Sequence, residues 1–479
     1  MIRLSNTRQE RNKSLIDALE KKIEILQKEE STEDILLEIE DCKQEILNLS
    51  KDFKTLISEA KQDIKDLYLN DEEGDWSVAW SGGKDSTTVA GLVVDMLLEL
   101  NESQWKRNIH FVMSDTMVEN PNLDIYMRSQ VDKLSKYVKD KGLPITVNLV
   151  HRPVEQGYFF LILGRGYFLP LNNGQGRWCT DRLKLKPQNE WLKEVKPIYQ
   201  LTGVRLSESA KRKASIEKWT VDSRISKKVG GTEKHRTFMA IVDFTIEDVW
   251  EYLQRERLAW SSTHDVRTLY KEATGECGFT NPKGVEAKVS QLESCGARFG
   301  CWVCPVVMKD KSTEAMSQHN EWMKPLTAYR LMQFKVMGAY VPKKKEGQSR
   351  KDRSADLVKI EEINKKIKSI TKSGYKRNGK PMMRNGERDT LSGTTTIEAR
   401  KWLFDKLIET QELMNNGRVE KGLFPIELIA QDEIDAIKKQ WELDYKDAPH
   451  LITNSNGIHI SELDDLIKQL EEYEKDENK

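Results

Sequence analysis

The feature that most constrains the fold is a strand, a glycine-containing loop and a helix in immediate succession. The run WSVAW at 76–80 predicts a short buried strand, and 87–100 predicts a helix. Between them, residues 81–86 are Ser-Gly-Gly-Lys-Asp-Ser. Gly82 and Gly83 let the backbone turn tightly and approach an anion without an obstructing Cβ, and the adjoining helix N-terminus favours negative charge. The pattern therefore predicts a phosphate-binding loop.

The polar side chains of this loop suit the same chemistry. Ser81 and Ser86 supply hydroxyl donors, Lys84 supplies a point charge, and Asp85 is suited to a Mg²⁺ ion that bridges phosphates. The spacing is not that of a Walker A loop, which needs four residues between its glycines. A plain Gly-Gly turn capped by Asp or Ser is the alternative, but the six-residue string between a strand and a helix favours phosphate binding.

The surrounding sequence alternates strands and helices. Residues 109–113 and 145–150 predict further strands, 123–141 predicts a helix, and 238–255 predicts a strand end, a Thr cap and a helix. Strands that alternate with helices imply parallel pairing. We therefore expect an α/β fold with a doubly wound parallel sheet.

The segments outside this core differ from it in composition. We expect a helical, coiled-coil-like extension over 1–70, the α/β domain over 71–260, a cysteine-rich lobe over 261–310 and a helical C-terminal region over 311–479, with a mobile basic arm at 342–389. An a/d heptad stripe supports the first assignment. Its members are Ile35, Ile39, Cys42, Ile46, Leu49, Phe53 and Leu56. It predicts either a helical hairpin on its own core or a docking surface, with Cys42 structural in both.

Composition limits the class of protein. The 77 basic and 77 acidic residues cancel, so net charge alone does not indicate a nucleic-acid partner. There is no signal-peptide-like run and no stretch of about 18 apolar residues, so we expect a cytoplasmic protein with no membrane partner. Six cysteines in a chain of 479 residues are too few for a disulfide scaffold, and clustered cysteines in a reducing compartment indicate metal or redox chemistry.

Four of these cysteines lie close together in the sequence. Cys277, Cys295, Cys301 and Cys304 are separated by 17, 5 and 2 residues. A Cys-x-x-Cys pair directs two thiolates at one metal centre from a single turn, and four thiolates suit either structural Zn²⁺ or a 4Fe-4S cluster. The spacing does not choose between these metals, nor between a structural and an electron-carrying role.

Two stretches are locally basic. Residues 205–236 hold 10 Lys/Arg against 4 Asp/Glu, and residues 342–388 hold 16 against 6. Such patches are typical of surfaces that bind polyanions, although a solvated charged surface is the ordinary alternative. No base-reading motif is present in the sequence.

The loop string resembles the PP-loop of ATP pyrophosphatases, which split ATP into AMP and pyrophosphate while they adenylate an oxygen. Within that superfamily the chain resembles the phosphoadenosine-phosphosulfate reductase branch. The supporting strings are SDTMVENP at 114–121, WCTDRLKLKP at 178–187, GVRLSES at 203–209 and VDFTIEDVWEYL at 242–253. With GCWVCPVV at 300–307 and the long flanks, the chain is similar to the DndC family, the sulfurtransferase-type component of bacterial DNA phosphorothioation systems.

This resemblance implies roles for several residues. Asp115 and Thr116 would contact the ribose or adenine side of the nucleotide, with a loop Asx turn as the alternative. Arg205 would grip phosphate or sulfate through its planar guanidinium, and Glu208 would orient that arginine. A surface Arg-Glu pair is the alternative for these two residues.

Cys179 stands where the reductase relatives that carry a cluster have paired cysteines, so its role is open. Arg177, Arg182 and Lys184 are its basic neighbours in the sequence. Such neighbours lower a thiol pKa, which suits a persulfide carrier or nucleophile. A buried, inert cysteine is the alternative.

The resemblance also implies the reaction and the partners. It favours a 4Fe-4S cluster over zinc, with ATP and Mg²⁺ at the loop, and DNA, a cysteine desulfurase and other DNA phosphorothioation proteins as partners. The predicted reaction is adenylation of a DNA phosphate oxygen with release of pyrophosphate, after which sulfur replaces AMP. Catalysis is assigned to Lys84, Asp85, Arg205 and Cys179. The alternatives are an adenylyl or phosphoadenylyl sulfate reductase, a tRNA thiolation enzyme, and a non-catalytic ATP-bound scaffold.

Overall fold

The computed structural model describes most of the chain. The described residues are 7–29, 32–70, 72–170, 177–208, 210–222, 224–227, 236–255, 258–274, 299–307, 310–342 and 349–475. By their internal contacts they divide into two units. The first unit comprises 1–114, 124–150 and 188–269, and the second comprises 115–123, 151–187 and 270–479. Each unit is described by itself.

A seven-stranded sheet forms the centre of the first unit. Its strands are β1 (Trp76–Ala79), β2 (Ile109–Ser114), β3 (Ile145–Val150), β4 (Tyr199–Thr202), β5 (Thr220–Asp222), β6 (Ile225–Lys227) and β7 (Arg236–Met239). They lie in the order β3-β2-β1-β4-β7-β6-β5. The first five are parallel and the last two are antiparallel. The prediction of an α/β fold built on a parallel sheet is confirmed.

Fifteen α-helices are found among the described residues. They are α1 (Arg8–Leu26), α2 (Glu33–Ser50), α3 (Phe53–Leu69), α4 (Lys84–Leu98), α5 (Pro121–Lys141), α6 (Lys186–Val195), α7 (Ala210–Trp219), α8 (Ile246–Arg255), α9 (His264–Thr274), α10 (Lys311–His319), α11 (Lys324–Val336), α12 (Arg350–Thr371), α13 (Ile397–Glu420), α14 (Gln431–Asp447) and α15 (Glu462–Lys475).

The core of the first unit explains the short run WSVAW. Trp76 and Val78 are fully buried in β1, and Trp80 is 1% exposed. The next helix, α4, is buried on nearly all sides, which suits a helix covered by the sheet and by other helices. Because β1 has β2 on one side and β4 on the other, the strand order reverses beside β1. Open α/β sheets bind ligands outside the carboxyl ends of the strands at such a point.

The N-terminal extension is a set of helices that packs on the α/β domain. The heptad stripe crosses a break, since α2 ends at Ser50 and Asp52 caps α3. Cys42 is buried, as predicted. In addition, α1 packs against α2, and the buried Arg8 of α1 pairs with Asp248 of α8 at 2.9 Å. These contacts fit the predicted helical hairpin with its own core, and the alternative of a docking surface stays a prediction.

The second unit is largely helical, and it corrects one prediction. The basic stretch 342–389 was expected to be a mobile arm, but 350–371 is the helix α12 and a hairpin of β8 (Met383–Arg384) and β9 (Glu387–Arg388) follows. The prediction was wrong because it considered only the charged residues. The helix α12 also has an apolar stripe, and its members Ile360, Ile363 and Ile367 are buried.

Two short π-helical segments, Phe160–Gly164 and Thr180–Leu185, also belong to the second unit. Such segments are rare and are frequent at functional sites. Within the C-terminal region predicted to be helical, α13 and α14 are two successive helices. No helix within the described part of the chain is long and apolar enough to cross a membrane.

Candidate functional site

The predicted phosphate loop joins β1 to α4. Gly83 is the N-cap residue of α4, and the Thr87 N–H donates the first intrahelical hydrogen bond to the Gly83 carbonyl at 2.9 Å. The N–H groups at the first turn of a helix have no acceptor within the helix. The Ser86 hydroxyl closes the loop, since it donates to the Gly83 carbonyl and accepts from the Ser81 N–H, both at 3.1 Å. The loop is therefore a preformed turn at a helix N-terminus.

Two glycines allow this turn. Gly82 has a φ of +69°, in the left-handed region that favours glycine. Gly203, which directly follows β4, faces the loop from the neighbouring strand. A Cβ on Gly203 would lie 2.8 Å from the carbonyl carbon of Asp85 and 3.0 Å from the Ser86 nitrogen. Since these are backbone atoms, only glycine fits at position 203 without moving the loop.

Asp85 lies between two cations. Its Oδ1 accepts from Nε of Arg205 at 2.7 Å, and its Oδ2 accepts from Nζ of Lys84 at 2.9 Å. The Arg205 side chain is 3% exposed, and the Lys84 side chain is 9% exposed. The structure therefore brings together three of the predicted catalytic residues, and it places two positive charges at the helix N-terminus.

A second contact orients Arg205. Its Nη1 donates to the Ser207 hydroxyl at 2.9 Å, and that hydroxyl donates to the carbonyl of Phe244 at 3.0 Å. The prediction gave the orienting role to Glu208, which stays a prediction. Ser207 and Gly203 were missed, although both lie in the string GVRLSES that carried the prediction of Arg205.

The residues fit a bound ATP polyphosphate by their chemistry. The turn offers backbone N–H groups and the Ser81 hydroxyl, and Lys84 and Arg205 supply two cations; these are the donors that phosphate oxygens accept from. Asp85 supplies the carboxylate that would hold Mg²⁺.

Asp115 and Thr116 directly follow β2 in the sequence, and the structure describes them within the second unit. Both are buried. The Asp115 Oδ1 accepts from the Met117 N–H at 2.7 Å, and Met117 has a φ of +62°. This is the Asx turn that was the alternative for Asp115. Contact of these two residues with a nucleotide stays a prediction.

Thr116 lies close to Cys301, one of the four cysteines predicted to bind the cluster. Its hydroxyl donates to Oε1 of the buried Glu119 at 3.0 Å and lies 3.5 Å from Sγ of Cys301. Glu119 and Cys301 also form a backbone bridge. Burial, and then the charge of Glu119, raise the pKa of the Cys301 thiol well above its ordinary value. Glu119 was not singled out from the sequence, because its proximity to Cys301 depends on residues about 180 positions apart.

The two described cysteines of the predicted cluster lie on one turn. The Cys304 N–H donates to the Cys301 carbonyl at 2.9 Å, and Trp302 and Val303 between them are buried. This geometry fits two thiolates reaching one metal centre. Cys277 and Cys295 lie outside the described residues. Among the residues that the structure describes, no group of three or more His, Cys, Asp or Glu side chains is arranged to hold a metal ion.

The environment of Cys179 differs from the one predicted. Burial, and next the charge of Cys304, raise the pKa of the Cys179 thiol. The expectation of a lowered pKa is therefore wrong. Arg182 lies over the ring of Tyr167 at 5.3 Å, Arg177 is exposed, and the charge of Lys184 acts on Cys301. Although these three basic residues are close to Cys179 in the sequence, their charges are not grouped around its sulfur.

The first basic stretch is also neutralised in part. Arg224 pairs with Asp63 at 2.9 Å and with Asp243 at 2.8 Å. Arg236 pairs with Glu72, and Lys213 pairs with Glu45 at 2.9 Å. Three of these four acids lie in α2, in α3 or just after α3. Three basic side chains of the stretch 205–236 are therefore paired with acids in or just after the N-terminal helices.

One family model matches the part of the chain that contains the predicted phosphate loop. Residues 75–307 match the family described as phosphoadenosine phosphosulfate reductase domain. No curated protein sequence matches the chain. Among solved structures, phosphoadenylyl-sulfate (PAPS) reductase from Candida auris in its phosphate complex is 13% identical, with 45% of this chain and 88% of that chain covered at a TM-score of 0.30.

A second solved structure is the U34-tRNA thiolase NcsA from Methanococcus maripaludis with its 4Fe-4S cluster. It is 13% identical, with 58% of this chain and 79% of that chain covered, also at a TM-score of 0.30. A complex of Candida glabrata FMN adenylyltransferase with FAD and inorganic pyrophosphate is 10% identical, with 60% and 81% covered and a TM-score of 0.31. At these TM-scores the alignments carry no weight for activity.

Proposed function

We propose that this chain, whose residues 75–307 form a phosphoadenosine-phosphosulfate-reductase-like domain with a PP-loop, uses ATP to place sulfur in the DNA backbone. The observation that carries the ATP step is the loop itself, where Lys84 and Arg205 meet at Asp85 over a helix N-terminus. The choice of DNA rests on the similarity of the sequence to the DndC family.

The proposed reaction has two stages. A non-bridging oxygen of a DNA phosphate attacks the α-phosphorus of ATP, pyrophosphate leaves, and the backbone phosphate is adenylated. The terminal sulfur of a persulfide then attacks the DNA phosphorus, and AMP leaves with the oxygen. A thiol then attacks the carrier sulfur, forms a disulfide with it and releases the phosphorothioate. The persulfide would come from a cysteine desulfurase, and the other DNA phosphorothioation proteins would complete the system.

The residues of the loop would neutralise charge and fix geometry. Phosphoryl and nucleotidyl transfer need positioning and charge stabilisation more than covalent help from the protein. Lys84 and Arg205 would stabilise the negative charge that develops on the α-phosphate oxygens and the departing pyrophosphate. Asp85 and Ser207 keep the guanidinium of Arg205 in place. Mg²⁺ held by Asp85 would add charge neutralisation between the phosphates.

The second unit would supply the sulfur chemistry. Cys301 and Cys304 would hold part of a 4Fe-4S cluster together with Cys277 and Cys295, and such a cluster supplies either structural support or single electrons. We propose that Cys179 carries the sulfur. Its raised pKa disfavours the free thiolate.

Replacement of Lys84 tests the proposal. Removal of one charge-stabilising donor typically lowers the rate about 10²–10³-fold, so Lys84→Ala should abolish DNA-dependent pyrophosphate release in vitro and phosphorothioate in cellular DNA. Lys133→Ala is the matched control, because Lys133 forms an exposed ion pair with Asp265 in the same unit.

Three outcomes would contradict the proposal. If the wild-type protein releases no pyrophosphate from ATP, the chemistry of a sulfonucleotide reductase is the better explanation. If labelled sulfur enters tRNA and not DNA, the acceptor is wrong. If Lys84→Ala and Asp85→Ala variants still support modification, the chain acts as a scaffold.

A further inference from the structure

A compact, basic β-structure projects from the second unit. We call residues 372–395 the basic finger. Its backbone hydrogen bonds join three short segments into one meander: the Ser373 N–H donates to Thr394, the Met382 N–H to Gly374, and the Asp389 N–H to Met382, at 2.8 to 3.0 Å. The basic finger is therefore an ordered element, in spite of its polar and glycine-rich sequence.

The tip of the basic finger is a tight hairpin. β8 and β9 are antiparallel, with Arg384 opposite Glu387, and Asn385 and Gly386 form the turn with φ values of +52° and +85°. Positive φ at both central residues is the signature of the type I′ turn, and Asn-Gly is its preferred sequence. The turn chemistry thus holds the tip in one conformation.

Buried charges hold the base of the basic finger. Arg377 pairs with Asp444 through both oxygens of the carboxylate, and the fully buried Arg400 donates to the same carboxylate at 3.0 Å. Lys372 forms a backbone bridge with Thr395. Because Arg377 is paired with Asp444, we do not count its charge among those of the outer surface.

The other basic side chains of the basic finger face outward. These exposed residues are Lys376, Lys380, Arg384 and Arg388. Of the two acidic residues of the finger, Glu387 is exposed and Asp389 is partly buried. The side chain of Arg384 is 76% exposed and contacts Asp389 at 3.1 Å, and Arg388 lies over the ring of Tyr375 at 4.6 Å. A surplus of positive charge is thus presented on a rigid projection, unlike in the stretch 205–236.

We infer that the basic finger grips the phosphate backbone of duplex DNA through Lys376, Lys380, Arg384 and Arg388. This inference deepens the proposed function and rests on it for the choice of DNA. The major groove of B-DNA is wide enough to admit a two-stranded β-ribbon, whose side chains then reach the phosphates that flank the groove, whereas the major groove of A-form RNA is deep and narrow. Recognition of single strands relies on exposed aromatic platforms. Tyr375 is the only aromatic residue at 372–395, and Arg388 covers its ring.

The contacts are with phosphate rather than with bases. Lysine and arginine on a short ribbon neutralise phosphates in any sequence, so the basic finger would orient the duplex without selecting a motif. Selection of the modified sequence then belongs to another protein of the system.

Binding of the full chain to a fluorescein-labelled duplex, followed by anisotropy over a range of salt concentrations, tests the inference. The finger variant carries Lys376→Gln, Lys380→Gln, Arg384→Gln and Arg388→Gln. The matched control removes four exposed charges from α12, with Lys351→Gln, Lys359→Gln, Lys365→Gln and Lys366→Gln. Each phosphate contact contributes about 0.9 to the slope of log K against log salt. We expect the finger variant to bind at least about tenfold more weakly, with a slope lower by about 2 to 4, and the control to bind within about twofold of the wild type.

Two double variants show whether a folding defect causes the loss of binding. One carries Lys376→Gln with Lys380→Gln, and the other carries Arg384→Gln with Arg388→Gln. Each should lose part of the affinity for the duplex while its thermal unfolding curve stays unchanged. Unchanged duplex binding by the finger variant, or an equal loss in the control, would overturn the inference. Tighter binding of tRNA than of duplex by the wild type, lost in the finger variant, would overturn the assignment to DNA. Pyrophosphate release is measured separately: if it is absent while finger-dependent duplex binding is present, the proposed function fails and the DNA contact stands.

Discussion

At the scale of single residues, the site depends on one carboxylate that pairs with two cations. Asp85 accepts from both Lys84 and Arg205, so these three side chains form one electrostatic unit. A phosphate group offers the same two cations an alternative anionic partner. Nucleotide binding would therefore replace one set of charge-assisted hydrogen bonds with another, and it would leave Asp85 available to a metal ion.

Gly203 gives a residue-scale prediction. An added Cβ would meet the backbone of Asp85 and Ser86 at 2.8 to 3.0 Å. Gly203→Ala should displace the loop and weaken ATP binding by about tenfold or more, with an overpacking cost of about 1–3 kcal/mol in stability. Gly300→Ala is the control, because within the described part of the chain no atom beyond its two sequence neighbours lies within 4 Å of its Cβ position. Calorimetric titration with ATP measures the effect, and equal affinity in both variants would contradict the assigned close contact.

Glu433 gives a prediction about pH. It is buried at the start of α14, and its Oε1 accepts from the Phe160 N–H at 3.0 Å. Burial, and next the charge of Asp432, raise the pKa of Glu433 from 4.5 to about 7. Because the folded-state pKa is higher than the unfolded one, the folded protein binds the proton more tightly and loses stability as the pH rises from about 4.5 to about 7.

The Glu433→Gln variant should therefore be more stable than the wild type at pH 8, by up to about 3 kcal/mol, and should lose this advantage by pH 4. Glu442→Gln, an exposed position on the same helix, should change neither value. Urea unfolding at several pH values measures both variants. A constant difference between Glu433→Gln and wild type across this range would show that Glu433 does not titrate with folding.

At the scale of elements, a buried arginine attaches the N-terminal helices to the α/β domain. Besides its pair with Asp248, Arg8 donates to the carbonyls of Asn48, Leu49 and Lys51 at 2.6 to 3.0 Å, where α2 ends. One side chain thus satisfies the C-terminal carbonyls of α2 and neutralises an acid of α8. The helical extension is therefore part of the first unit rather than a separate module.

Removal of that arginine is an element-scale prediction. Arg8→Ala removes the nearer of the two arginines that pair with the buried Asp248 carboxylate and leaves it the longer contact with Arg11 at 3.5 Å. We expect a cost of about 3 kcal/mol, at the low end of the range for a broken buried pair. Lys22→Ala breaks an ion pair with Glu38 that is 48% exposed on both sides, and should cost less than about 1 kcal/mol. Chemical denaturation of both variants provides the measurement, and similar losses in the two would show that the helices are attached by other contacts.

At the scale of the whole molecule, the predicted functions divide between the two units. The phosphate loop, Arg205 and Gly203 belong to the first unit, whereas Cys179, Cys301 and Cys304 belong to the second. The match to the reductase family spans segments of both units. The phosphate-loop residues and Arg205 therefore belong to the first unit, whereas Asp115 and Thr116, which are predicted to contact the nucleotide, belong to the second unit with the cysteines proposed for sulfur chemistry.

The iron content of cysteine variants tests whether the cysteines of the second unit bind the proposed cluster. Cys301→Ser and Cys304→Ser should lose iron, sulfide and the visible absorbance of an anaerobically purified protein, because thiolates hold such clusters. Cys42→Ala should keep all three, since Cys42 is buried in α2 of the first unit. ATP binding should persist in each variant. Zinc in place of iron, or full iron content in Cys301→Ser, would contradict the proposed cluster.

The sequence by itself determined the parts of the protein that local patterns encode. The strands at 76, 109 and 145, the helix after the loop and the buried Cys42 were predictable, because hydrophobic periodicity and glycine placement act over a few residues. The turn at 81–86 between the strand and the helix was predictable for the same reason, and Arg205 was singled out from a contiguous string.

Only the tertiary structure decided what depends on distant parts of the chain. It brought Gly203 and Arg205 against the loop from a neighbouring strand, placed Glu119 beside Cys301, and paired Arg224 with Asp63. It also ordered the basic stretch after residue 349 into a helix and a hairpin. A charge or a thiol acquires its properties from the groups packed around it, which a single sequence does not reveal. The raised pKa of Cys179, opposite to that expected from its neighbours in the sequence, illustrates this limit.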